Sequence, residues 1–82
     1  MMPRLRDLSG DQVLDVLLDF GYRIAAQDGR HLKLRKMTGR GEATTMTFPM
    51  MKELDKLTIA AIYHDACQYA SEDRLWPRFY EA

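Results

Sequence analysis

The residues best suited to chemistry lie together in Gln27-Asp28-Gly29-Arg30-His31-Leu32-Lys33-Leu34-Arg35-Lys36. An imidazole exchanges protons near neutrality and can act as general base or general acid. Lys and Arg beside it can hold the negative charge that develops on a phosphate in a transition state. Acid–base chemistry at a phosphate ester asks for a group to take a proton, positive charge for the transition state and a proton for the leaving oxygen. His31, with Arg30, Lys33, Arg35 and Lys36, supplies such groups just after Gly29. The second proton-transfer group is not identified by the residues; water or a group from a second subunit would serve.

These residues need a strand to hold them. Asp28-Gly29 is a hairpin-turn pair, because Gly takes positive φ without a Cβ clash and Asp tolerates the region. After the turn the pattern alternates. Leu32 and Leu34 share one face; His31, Lys33 and Arg35 share the other. The alternation predicts a strand over 31–37, paired with a strand over 22–26 before the turn and one over 43–48 after Gly39 and Gly41. Pro49 ends the last strand. Short connections between successive strands imply an antiparallel meander.

Two helices flank the strands. Ser9-Gly10-Asp11-Gln12 fits a capping box and starts a helix over about 10–20, which Gly21 ends. Asp55 suits the N-cap of a second helix over about 56–70, whose apolar stripe is Ile59, Ile62, Tyr63 and Ala66. The order is α-β-β-β-α, an α+β fold with a three-stranded antiparallel sheet and two helices on one face. The other face stays open and carries His31, Lys33 and Arg35.

Eighty-two residues make one domain, 1–82, in which 71–82 form an aromatic C-terminal extension with Trp76, Phe79 and Tyr80. The chain is 46% hydrophobic and 29% charged with zero formal net charge, so it lacks the global basic field of a general nucleic-acid binder. The charge is unevenly placed: positions 30–40 hold Arg30, Lys33, Arg35, Lys36 and Arg40 and no acid, whereas Asp11, Asp15 and Asp19 line the first helix. One cysteine, Cys67, excludes an internal disulfide and a multi-cysteine zinc site. No apolar run is long enough for a signal peptide or a membrane span, so the expectation is a cytoplasmic protein with no membrane partner, no cofactor and no metal.

The order of motifs resembles the HicA family of toxins from bacterial and archaeal toxin–antitoxin pairs. The resemblance runs from about Leu5 to Ala70. It rests on Ser9-Gly10, Leu17-Leu18-Asp19-Phe20-Gly21-Tyr22, Gly29-Arg30-His31, Thr45-Met46-Thr47-Phe48-Pro49, and Lys52-Glu53-Leu54 leading to Thr58-Ile59-Ala60-Ala61-Ile62. The chain departs from the family in Arg30, where a small residue is usual, in Met50-Met51, where His-Pro-Gly is frequent, and in its neutral charge. The resemblance implies a fold similar to double-stranded-RNA-binding domains. It implies a metal-independent endoribonuclease acting on mRNA, with the catalytic histidine at His31 and the family glycine at Gly29, and a HicB-like antitoxin partner.

Two other readings stand beside this one. The same fold can bind RNA without cutting it, through the exposed strand face. Alternatively, the sheet edge and the aromatic tail can serve as a protein-interaction module. Leu75-Trp76-Pro77 and Phe79-Tyr80 either fold back on the core or form a homodimer or antitoxin contact. His64 falls off the apolar stripe and reads as a surface residue; Cys67 reads as a buried small side chain. The acidic line on the first helix reads as a solvated face rather than a metal site.

Overall fold

The computed structural model describes residues 2–82. In chain order the elements are β1 (Arg4–Leu5), α1 (Gly10–Asp19), β2 (Arg23–Asp28), β3 (His31–Met37), β4 (Ala43–Pro49), α2 (Lys56–Ala66), α3 (Glu72–Phe79) and β5 (Tyr80–Glu81). The expected α-β-β-β-α series is present, and an additional helix and a two-stranded clip enclose it.

The local signals behave as their chemistry requires. Ser9 Oγ accepts from the Gln12 amide at 3.1 Å while Gln12 Oε1 accepts from the Ser9 amide at 2.9 Å, so α1 begins with a complete capping box. The α1 start is also tied to the chain after β4: the Gly10 amide donates to Met51 O at 2.8 Å. Gly21 follows the Phe20 cap with φ +95°, a conformation that glycine takes without strain. At α2, Asp55 Oδ1 accepts from the Thr58 amide at 2.7 Å.

The sheet order is β2-β3-β4, all antiparallel. Leu32 and Leu34 of β3 and Met46 and Phe48 of β4 point inward. They join Val13, Val16 and Leu17 of α1 and Ile59, Ile62, Tyr63 and Ala66 of α2 in one buried cluster. Both helices therefore cover the same face of the sheet, and the opposite face is left to solvent.

Four features differ from the sequence expectation. The β2–β3 turn is not centred on Asp28-Gly29. Asp28 is already paired with His31, and the two-residue loop is Gly29-Arg30, with Gly29 at φ +60° and no positive φ at any described non-glycine residue. Glycine at the first loop position and negative φ at the second is the type II′ hairpin pattern. Second, α2 stops at Ala66 rather than near residue 70. Its end is tightened by i→i−3 bonds from Gln68 N to Asp65 O and from Tyr69 N to Ala66 O.

Third, the chain then reverses into α3, which the aromatic composition of 71–82 does not by itself reveal. Leu75 and Phe79 are fully buried, and Phe79 packs on Tyr63 with centroids 5.4 Å apart. Burying a leucine and a phenylalanine stabilises by about 1.5–3 kcal/mol each, more than a few extra helical residues on α2 could contribute. This segment belongs to the core. Trp76 and Tyr80, stacked at 5.4 Å, are only half-buried.

Fourth, a strand forms near each terminus, β1 and β5, where the sequence pattern predicts none. Arg4 pairs with Glu81 and Leu5 with Tyr80 in the β1–β5 ladder, the Arg6 amide donates to Phe79 O at 2.8 Å, and Arg4 Nε meets Glu81 Oε1 at 2.8 Å.

Candidate nucleic-acid interface

The open face of the sheet is a set of cross-strand rows, because directly opposed residues in an antiparallel ladder point the same way. At the turn end the row is Asp28–His31–Pro49. The next is Ala26–Lys33–Thr47, and the third is Arg23–Arg35–Thr45. His31, Lys33, Arg35, Thr45 and Thr47 are all exposed. Same-face residues on a strand are about 7 Å apart, so His31 and Arg35 are separated by about 13 Å with Lys33 between them.

The turn positions the imidazole. Asp28 closes the ladder across from His31, although no hydrogen bond joins their side chains. The turn is anchored on its other side as well: the Met50 amide donates to Arg30 O, tying the loop to the end of β4. Above Gly29 there is open space, with nothing within 4 Å of where a Cβ would stand. Arg30 is exposed at the tip of the loop.

The electrostatic arrangement is segregated except at Asp28, which stands opposite His31 on the open face. The ion pairs among the described residues are Arg4–Glu81, Arg6–Glu81, Lys56–Asp7 and Arg78–Asp19. All of them lie on the terminal segments and the helices. Among the described residues, Arg23, Arg30, Lys33 and Arg35 have no acidic partner. The cations of the open face are therefore available to an external anion, whereas the acids of α1 are turned away from it, with Asp19 engaged by Arg78 at 2.9 Å. No group of three or more His, Cys, Asp or Glu side chains that could hold a metal occurs among the described residues.

Lys36 does not join this face. Strand alternation turns it to the helix side, where its ammonium donates to Phe20 O at 2.6 Å and lies 5.4 Å from the centre of the Tyr22 ring. Phe20 is the C-cap of α1, so Lys36 satisfies a carbonyl at the negative end of that helix. Partial burial pushes its pKa down from the ordinary lysine value. The structure thus groups His31, Lys33, Arg35, Gly29 and Arg30 and sets Lys36 apart.

Arg23 joins them, although its place was not legible in the sequence. Counting back from Gly29-Arg30, an uninterrupted hairpin pairs Arg23 with Lys36 and turns it to the helix side. The ladder instead runs Asp28↔His31, Gln27↔Leu32, Ala26↔Lys33 and then Ile24↔Leu34, Arg23↔Arg35. Ala25 is skipped. The bulge re-aims Arg23 onto the open face beside Arg35. Of the remaining ionisable residues, His64 is exposed on α2, and Cys67 lies half-buried with its thiol pKa raised by burial. Compared with models of protein families, with curated proteins and with solved structures, the chain matches none of them.

Proposed function

We propose that this protein is a metal-independent endoribonuclease that takes RNA on the open sheet face and uses His31 as its acid–base residue. The observation that supports it most directly is the exposed imidazole at the end of a row of cations, Lys33 and Arg35, that have no acidic partner among the described residues. In the reaction, His31 takes the proton of a ribose 2′-OH. That oxygen attacks the adjacent phosphorus, the bond to the 5′-oxygen breaks, the leaving oxygen takes a proton from water, and His31 returns its proton to solvent. The products are a 2′,3′-cyclic phosphate and a 5′-hydroxyl. Arg30 at the loop and Lys33 next along the strand stabilise the charge on the non-bridging oxygens, and Gly29 leaves room for the phosphate to approach the backbone.

The biological reading rests on the motif order shared with HicA toxins: the protein is the toxin of a type II pair, its substrate is mRNA, and a HicB-like antitoxin restrains it. The experiment is cleavage of a long mRNA in excess chelator by the purified chain and by His31→Ala, together with growth on induced expression. Cleavage and growth arrest by the wild type, both lost in a folded His31→Ala protein, are the expected results. Equal RNA binding by both proteins with cleavage by neither refutes the nuclease and leaves an RNA-binding domain.

A further inference from the structure

At the open end of the β2–β3 hairpin lies a groove of about 780 Å³. Arg23 and Arg35 line its polar side, together with Lys36, whose ammonium is held by Phe20 O; Phe20, Ile24 and Met37 line its apolar side. We infer that this groove is a nucleotide subsite of the RNA-binding face, with a phosphate held by the Arg23–Arg35 pair and the base laid against Ile24, Met37 and the Phe20 ring. The inference rests on RNA being the ligand of the open face, and it concerns a site about 13 Å from His31.

Three observations carry it. The first is the register. The bulge at Ala25 brings Arg23 directly opposite Arg35, where an unbroken ladder would not. Like charges directly opposed across a ladder are unfavourable, and no acid among the described residues relieves this pair. A phosphate between the two guanidinium groups does so, because each presents a planar fork of donors that matches its oxygens.

The second observation is the apolar exposure beside the pair. Ile24 is 54% exposed and Met37 56%, and these are among the largest apolar exposures on the sheet. Ile24 faces the helix side of β2, yet no helix covers that edge, so the arginine pair and an uncovered apolar surface adjoin in one groove. A flat base with a charged phosphate has this division of chemistry. An acidic peptide would satisfy the arginines but has no stacking demand on Met37 and Phe20. The third observation is alignment. Lys33 stands between His31 and the pair on the same strand and face, so the cations form a continuous track from the turn to the groove.

The test uses fluorescence anisotropy with a 5′-fluorescein-labelled 2′-O-methyl octauridylate, which has no free 2′-OH and is not cut. Arg23→Gln and Arg35→Gln should each weaken binding about tenfold and reduce the slope of log affinity against log salt by about 0.7. Ile24→Ala should weaken it about threefold with an unchanged slope. Arg40→Gln, on the β3–β4 connection outside the groove, should behave as wild type. Thermal melts verify that each variant is folded, and Arg23→Lys, which keeps the charge but not the fork, should fall between wild type and Arg23→Gln.

Wild-type affinity in folded Arg23→Gln overturns the subsite. So does an equal loss in Arg23→Gln and Arg40→Gln, which would show only diffuse attraction. Displacement of the probe by polyglutamate as readily as by unlabelled 2′-O-methyl RNA of equal charge also overturns it, in favour of an acidic protein partner. Because the readout is binding of an uncleavable probe, a nuclease reading that fails at His31 leaves the groove result standing. A wild-type Arg23→Gln affinity likewise leaves the cleavage assay untouched.

Discussion

Phe79→Ala tests whether the C-terminal segment is part of the folding unit. Phe79 is fully buried, packs at 5.4 Å on Tyr63, and sits in the same cluster as Leu75 and Ile62. Removing a buried phenylalanine costs about 3–5 kcal/mol, of which the tilted aromatic contact with Tyr63 supplies about 1. A domain of this length has a total stability of about 4–12 kcal/mol. The substitution therefore removes a quarter or more of it, and at the bottom of that range it abolishes folding at ambient temperature. The assay is urea denaturation followed by fluorescence of Trp76, the sole tryptophan. With a slope of about 2 kcal/mol per molar urea, the midpoint should fall by roughly 2 M. A midpoint shift under about 0.5 M would refute the reasoning, because it would mean that α3 contributes little to the cooperative core. Truncation after Ala70, which deletes Leu75 and Phe79 together, should leave no cooperative transition at all.

Gly10→Ala ought to stabilise an ordinary helix by about 1 kcal/mol, but here a Cβ would stand 2.9 Å from Met50 Cα and 3.0 Å from Met51 N, both backbone atoms, so a loss of about 1–3 kcal/mol is expected in the same urea assay. Arg23→Gln should raise the stability of the free protein by roughly 0.2–0.6 kcal/mol, since it removes one of two exposed like charges directly opposed across the ladder, and the gain should shrink with added salt; an equal gain at low and high salt would argue against the opposed pair. Burial pushes the Tyr22 phenol up to about 12, with the charges of Asp65 and Tyr69 adding to the effect. The unfolded chain then binds fewer protons at this group between pH 10 and 12 than the folded one, so stability falls as pH rises through that window, by about 2–3 kcal/mol from Tyr22. Tyr22→Phe should remove this group's share of the decline and leave that of Tyr63, whose phenol burial also pushes up, and spectrophotometric titration of the phenols provides a direct check.

Much of the architecture was legible because its causes are local. A capping box closes within four residues, so Ser9 and Gln12 announced the start of α1 unaided. Gly21 marked its end by backbone freedom alone. The period-two alternation of His31–Met37 fixed which side chains face outward, since adjacent strand residues must point oppositely, and the short connections left an antiparallel meander as the simple topology. The exposure of His31, Lys33 and Arg35 on one face follows from that alternation.

What only the tertiary structure decided depends on separations the local pattern does not encode. The Ala25 bulge shifts the ladder by one residue, and a shift of one exchanges faces; Arg23 reached the open face for that reason and no composition rule anticipates it. Lys36 was grouped with its basic neighbours by proximity in sequence, but its ammonium reaches the Phe20 carbonyl across the fold and serves the end of α1. The β1–β5 clip joins residues separated by almost the whole chain, through Arg4 and Glu81. The role of 71–82 was open in the sequence because Leu75 and Phe79 could cover the chain's own core or a partner. Burial of both against the chain's own core, with Phe79 packed on Tyr63, settled it, because apolar side chains gain by leaving water.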